Sequence, residues 1–120
     1  MGKTKNIFCL SRLGRAFIYS WQGLKACYQN EPSFRLELLV LLAATPLALL
    51  LGRTPFQKAL LIVTILLIML TELVNSAIEA IIDHFGKEEK LFGMAKDMGS
   101  AAVLLAIIIA LIVWIAALFP

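Results

Sequence analysis

Between Ala59 and Ile82 the chain reads ALLIVTILLIMLTELVNSAIEAII, an apolar run broken only by Thr64, Thr71, Glu72, Asn75, Ser76 and Glu79. A helix rising about 1.5 Å per residue over this run is long enough to cross the ~30 Å hydrocarbon core of a bilayer. The same run carries two carboxylates, which lipid does not tolerate without a reason. A membrane span and a polar face on that span therefore come from one stretch.

Two further apolar stretches flank it. Leu36–Gly52 lies before it, interrupted by Glu37 near its start and by Thr45–Pro46. Met98–Pro120 lies after it, free of charge and with Trp114 near its far end. The first is short for a span, which needs about 20 residues, and it spans if Arg35 and Arg53 extend their stems to the two interfaces. Pro46 is expected to kink it, a defect membrane helices tolerate when neighbours satisfy the freed carbonyl. The chain of 120 residues is 61% hydrophobic, against about 45–50% for a soluble domain. A soluble core of this size has too much surface to hide the difference. One membrane-embedded domain over residues 1–120 is expected.

Ahead of the spans, Leu10, Leu13, Phe17, Trp21, Leu24 and Tyr28 recur at three-and-four spacing, with Arg12, Arg15, Gln22 and Lys25 between them. A basic amphipathic helix with aromatic anchors lies in the membrane interface; packing of this helix against a partner is the alternative. Trp21 and Trp114 read as interface anchors. The expected elements are a surface helix over 6–29 and spanning helices over 36–52, 57–83 and 97–119. Glu31–Pro32 and Arg53–Thr54–Pro55 are turns, and His84 to Lys96 is a polar loop.

Basic residues are lopsided along this layout. Lys3, Lys5, Arg12, Arg15, Lys25 and Arg35 share a side with Lys87, Lys90 and Lys96, whereas the other side has only Arg53 and Lys58. The positive-inside rule puts the N-terminus and the second loop in the cytoplasm and the C-terminus outside. No continuous apolar core follows the basic first residues, so no signal peptide is expected. Cys9 and Cys27 show no metal-ligand spacing and read as packing residues.

Glu72, Asn75, Ser76, Glu79 and Asp83 fall within roughly a quarter of the helix circumference at ~100° per residue. Each charge in an apolar span costs about 2.5–3.5 kcal/mol on insertion scales. Asp83 and Glu79 can reach the interface, but Glu72 lies deeper, and the stripe reads as functional. A proton-coupled transporter would use Glu72 as its carrier. A metal-dependent phosphoryl transferase would give one carboxylate to Mg²⁺ and another to the acceptor hydroxyl. Glu31 is expected on the same side as Glu79. Lys96 and Asp97 are expected to open the third span there, where a helix N-terminus beside a lysine suits phosphate. The soluble nucleotide signatures GxxxxGK[ST] and GxGxxG are both absent from the sequence. At this level enzyme and transporter both stand, although a transporter site belongs near the midplane.

The run Glu72-Leu-Val-Asn-Ser-Ala-Ile-Glu79 followed by Asp83 resembles the signature of the small prokaryotic diacylglycerol kinases. So does Ala95-Lys-Asp-Met-Gly-Ser-Ala-Ala-Val103, and so do Tyr19-Ser-Trp-Gln-Gly-Leu24, Asn30-Glu31, Phe34-Arg35 and Glu37. The resemblance runs in order over nearly the whole chain, with the loop between the two main motifs one residue shorter than the family pattern. It implies an all-α homotrimer in the bacterial inner membrane that transfers the γ-phosphate of ATP to diacylglycerol with Mg²⁺, recycling phospholipid. By position, Glu72 would be the general base and Asn75 would orient the base or the substrate. Glu31 and Glu79 would hold the metal. Arg12, Tyr19, Glu31, Glu79, Glu88, Glu89, Lys90, Lys96 and Asp97 would contact ATP. Arg12, Ser20, Trp21, Phe34, Arg35, Glu72 and Ser100 would serve the lipid. Related members phosphorylate undecaprenol, but Met98-Gly99-Ser100 is more similar to the diacylglycerol branch.

Overall fold

A computed structural model describes residues 2–86 and 89–119, with side chains from residue 9 onward. Four helices follow in order: α1 Gly2–Asn30, α2 Pro32–Leu51, α3 Pro55–Phe85 and α4 Lys90–Leu118. Among the described residues there is no strand. The chain divides into two compact units, residues 1–30 and residues 31–120, so α1 forms one and α2–α4 the other.

The breaks between helices have local causes. Glu31 is extended, at φ −118° and ψ 105°, as expected of a residue before proline, and Pro32 opens α2, where its missing N–H costs nothing. Thr54 caps α3: its side chain accepts from the Gln57 N–H at 3.1 Å, and Gln57 Oε1 accepts from the Arg53 N–H at 2.7 Å. This reciprocal pair is close to a capping box, with Pro55 at the first helical position. Gly86 ends α3 at φ +101°, a left-handed conformation that side chains disfavour. Its N–H donates to the Ile82 carbonyl at 3.0 Å.

Three helices, α2, α3 and α4, are long and apolar enough to cross a membrane. This is an all-α membrane protein. The helices outrun the apolar stretches. Hydropathy tracks depth in lipid, whereas backbone hydrogen bonding continues through any residue that tolerates helical dihedrals. The expectation of a polar loop from His84 to Lys96 is corrected accordingly. α3 continues to Phe85, and α4 starts at Lys90 instead of residue 97. At about 1.5 Å per residue, the 31 residues of α3 measure about 46 Å, so one end must leave the hydrocarbon.

α3 is the central helix of its unit and packs against both α2 and α4. Every buried residue of α4 is small: Gly99, Ala106, Ala110 and Ala117. Small residues let membrane helices approach closely, which replaces the hydrophobic driving force that lipid cannot supply. At the α2–α3 turn end, Ala48, Leu61 and Ala117 form a cluster with Ile62, Val113 and Trp114 around it. Trp114, expected as an interface anchor, has an internal role too. Its Nε1 donates to the Leu61 carbonyl at 3.2 Å and to Thr64 Oγ1 at 3.1 Å. Trp114→Phe keeps most of the ring and removes the donor. It should cost about 1 kcal/mol, read as a lower thermal midpoint in detergent; an unchanged midpoint would mean the bond ties nothing. Large apolar side chains such as Leu50, at 81% exposure, and Leu105, at 59%, face outward, as lipid or partner contact requires.

Candidate active site

The stripe expected on one face of the second span does lie along α3, and its members differ in depth and in partners. Glu72 and Asn75 are buried, at 8% and 7% exposure. Ser76 and Glu79 are half-buried, and Asp83 is exposed. Glu72 and Glu79 lie about 10 Å apart along the helix axis by rise per residue. Between them, Asn75 Nδ2 donates to Glu79 Oε1 at 3.3 Å, one turn away.

α2 brings further carboxylates to the same place. Glu72 lies close enough to Glu31 and Glu79 to feel their charge, and Glu37 lies close enough to feel Glu72. Glu31, Glu37 and Glu79 therefore all lie within electrostatic range of Glu72. Glu37 Oε2 is buried without a hydrogen-bond partner. In the sequence Glu37 passes for an interruption in an apolar stretch. A carboxylate in an apolar span is costly there too, and that signal could have marked Glu37 as a candidate for the site. Among the described residues, no three His, Cys, Asp or Glu side chains gather closely enough to hold a metal by themselves.

At the polar end of α3, Lys96 Nζ lies 3.4 Å from Asp83 Oδ1 and joins α4 to α3. Both side chains are exposed enough, at 31% and 49%, for water to screen the pair. The expectation that Lys96 and Asp97 sit at a helix N-terminus is corrected by α4 itself. Its first residue is Lys90 and its N-cap is Glu89, so Lys96 and Asp97 lie in the second turn. Glu89, Lys90, Asp97 and Ser100 are exposed. Glu88 lies outside the described residues.

The remaining expected site residues lie on α1 and α2. On α1, Arg12, Tyr19, Ser20 and Trp21 are all exposed. Arg12, Arg15, Ala16 and Tyr19 line one concavity of that helix. Ser20 Oγ donates back to the Ala16 carbonyl at 2.8 Å. On α2, Arg35 is exposed and Phe34 is buried at 4% exposure. What the structure gathers within α2–α4 is thus Glu31, Glu37, Glu72, Asn75 and Glu79, with Asp83 and Lys96 at its polar edge.

The chain matches the family model described as prokaryotic diacylglycerol kinase over residues 18–118. It is 48% identical over 105 residues to a protein of Escherichia coli strain K12 named diacylglycerol kinase, covering 87% of this chain and 86% of that one. A protein of the same name from Haemophilus influenzae is 43% identical over 111 residues, or 92% and 94% of the two chains. One from Pseudomonas aeruginosa is 39% identical over 106 residues, or 88% and 86%. The matched span takes in the whole of α2, α3 and α4, and with them Glu31, Glu37, Glu72 and Glu79. The chain belongs to the prokaryotic diacylglycerol kinase family.

Proposed function

We propose that this protein is a membrane-embedded lipid kinase that transfers the γ-phosphate of ATP to the free hydroxyl of diacylglycerol, giving phosphatidic acid and ADP. The observation that carries the reading is the buried stripe on α3, Glu72 with Asn75 and Glu79, in a chain whose relatives bear that enzyme's name.

On this reading the work divides by depth. A diacylglycerol keeps its chains in the hydrocarbon and its hydroxyl near the interface, whereas ATP arrives from water. Glu72, the deeper carboxylate, takes the proton from the lipid hydroxyl as that oxygen bonds to the γ-phosphorus. The bond from that phosphorus to the bridging oxygen breaks, and ADP leaves. Glu31 and Glu79 supply hard oxygen donors on the shallower side of Glu72. Two carboxylates completed by phosphate oxygens and water suit Mg²⁺, which needs no closed protein cage. When bound, that ion neutralises charge on the phosphates. Asn75 holds the Glu79 carboxylate in place.

Lys96, Asp97, Glu89 and Lys90 would meet the nucleotide from α4, along with Glu88; Arg12 and Tyr19 would do so from α1. Ser20, Trp21, Phe34, Arg35 and Ser100, with Arg12, would serve the lipid. In-line transfer asks the protein for positioning and charge neutralisation more than for covalent chemistry. By the positive-inside rule the ATP side is taken to face the cytoplasm and the C-terminus the periplasm, with the inner membrane as the family resemblance implies.

Labelled ATP, Mg²⁺ and a panel of diacylglycerol and undecaprenol in mixed micelles test the reading. Label in phosphatidic acid is the expected result. Label in undecaprenyl phosphate alone would move the protein to the other branch. Uptake driven by a pH gradient, with no ATP consumed, would make it a transporter.

The family resemblance implies a homotrimer, and because three spans offer few walls for two substrates, the sites are taken as shared between protomers. Mixing Glu72→Gln protomers with Arg12→Ala protomers, each inactive alone, should then recover part of the activity. No recovery at any ratio would place each site within one chain.

A further inference from the structure

The two ends of the Asn75 amide face different surroundings. Nδ2 donates to Glu79 Oε1 at 3.3 Å. An ionised carboxylate only accepts, so the amide must present its nitrogen there and turn Oδ1 away. That oxygen is buried and has no hydrogen-bond partner. It fills the space that the first side-chain carbon of any residue other than glycine would need at position 99, and Asn75 Cγ would lie 3.1 Å from that carbon. Gly99 is itself buried on α4. Gly93, on the same helix, opens on empty space. An amide is planar, so its oxygen and nitrogen move together. Turning Oδ1 out of the way of a Cβ at position 99 must also swing Nδ2 off Glu79.

We propose that Gly99 is a positioning residue for phosphoryl transfer: the bare backbone of α4 is the socket that seats the Asn75 amide and so aims its nitrogen at Glu79. The inference rests on the reading of Asn75 and Glu79 as part of the reaction site. It assigns Asn75 to the metal-side carboxylate instead of to the base, and it gives the glycine of the second family motif a task in the first motif's chemistry.

Four purified variants in detergent test it: Gly99→Ala, Asn75→Ala, the double variant, and Gly93→Ala as a control. Two readouts apply. The first is the Mg²⁺ concentration giving half-maximal phosphorylation of diacylglycerol. The second needs no turnover: the side-chain amide ¹⁵N–¹H signal of Asn75 in Mg²⁺-free protein, which reports its bond to Glu79.

Gly99→Ala should raise the Mg²⁺ requirement at least tenfold and shift the Asn75 amide signal. Asn75→Ala should raise the requirement similarly, and the double variant should be no worse than Asn75→Ala alone, since both changes break one contact. Gly93→Ala should match the wild type. If Gly99→Ala does not fold, the double variant decides, because removing the Asn75 side chain frees the space. A folded double variant with the Asn75→Ala phenotype supports the socket. A double variant that also fails to fold overturns it. Losses that multiply in the double variant overturn it as well, as does a Gly99→Ala protein with wild-type Mg²⁺ demand and an unmoved amide signal. Wild-type Mg²⁺ demand in Asn75→Ala would instead remove the underlying reading of the site, and the socket with it.

Discussion

Glu72→Gln is expected to give a folded protein that still binds ATP and transfers almost no phosphate to diacylglycerol. Glutamine preserves the size and shape of the side chain and loses only its capacity to take a proton. A positioned general base contributes typically about 10²–10⁴-fold, and the loss should fall in that range or exceed it. Stability should not suffer. Glu72 is 8% exposed on a spanning helix, and a neutral amide is cheaper to hold there than a charge. Turnover measured beside ATP binding and thermal midpoint checks this. Wild-type turnover would remove Glu72 as the base. Loss of turnover together with loss of folding would show a structural role.

Glu79→Ala should show a different defect. It removes a carboxylate from the shallower side of the site and the acceptor of the Asn75 amide, which is then left buried and unpaired. Changes to a metal ligand's immediate support alone typically cost about 10–100-fold in metal affinity, so loss of the ligand should raise the Mg²⁺ requirement by at least that much. Turnover should return in part at high Mg²⁺. An unchanged Mg²⁺ titration would end the assignment of Glu79 to the metal.

The sequence made the main architecture readable because lipid imposes strong constraints. Three apolar stretches of spanning length became α2, α3 and α4, and the periodic placement of Glu72, Asn75, Ser76 and Glu79 became one face of α3. Helix ends were less readable. Residues 84–96 are polar, and polarity resembles a loop in a hydropathy pattern. Among the described residues, Gly86 with its positive φ and the extended Glu89 mark the break there, and α4 resumes at Lys90. Contacts between helices were not readable at all, since nothing in a single chain's pattern states which faces meet. That is why Glu37 passed as an interruption and Trp114 as an anchor, and why the seat of Asn75 against Gly99 appears only in three dimensions.

The proposed mechanism divides the labour along α3, with the deeper carboxylate serving the lipid hydroxyl and the shallower one serving the nucleotide's metal. The most direct test is a side-by-side Mg²⁺ titration of phosphatidic acid formation from labelled ATP by wild type, Glu72→Gln and Glu79→Ala. Rising Mg²⁺ should restore Glu79→Ala in part and leave Glu72→Gln inactive at every concentration. Recovery of Glu72→Gln by Mg²⁺, or a Glu79→Ala curve that matches the wild type, would contradict it.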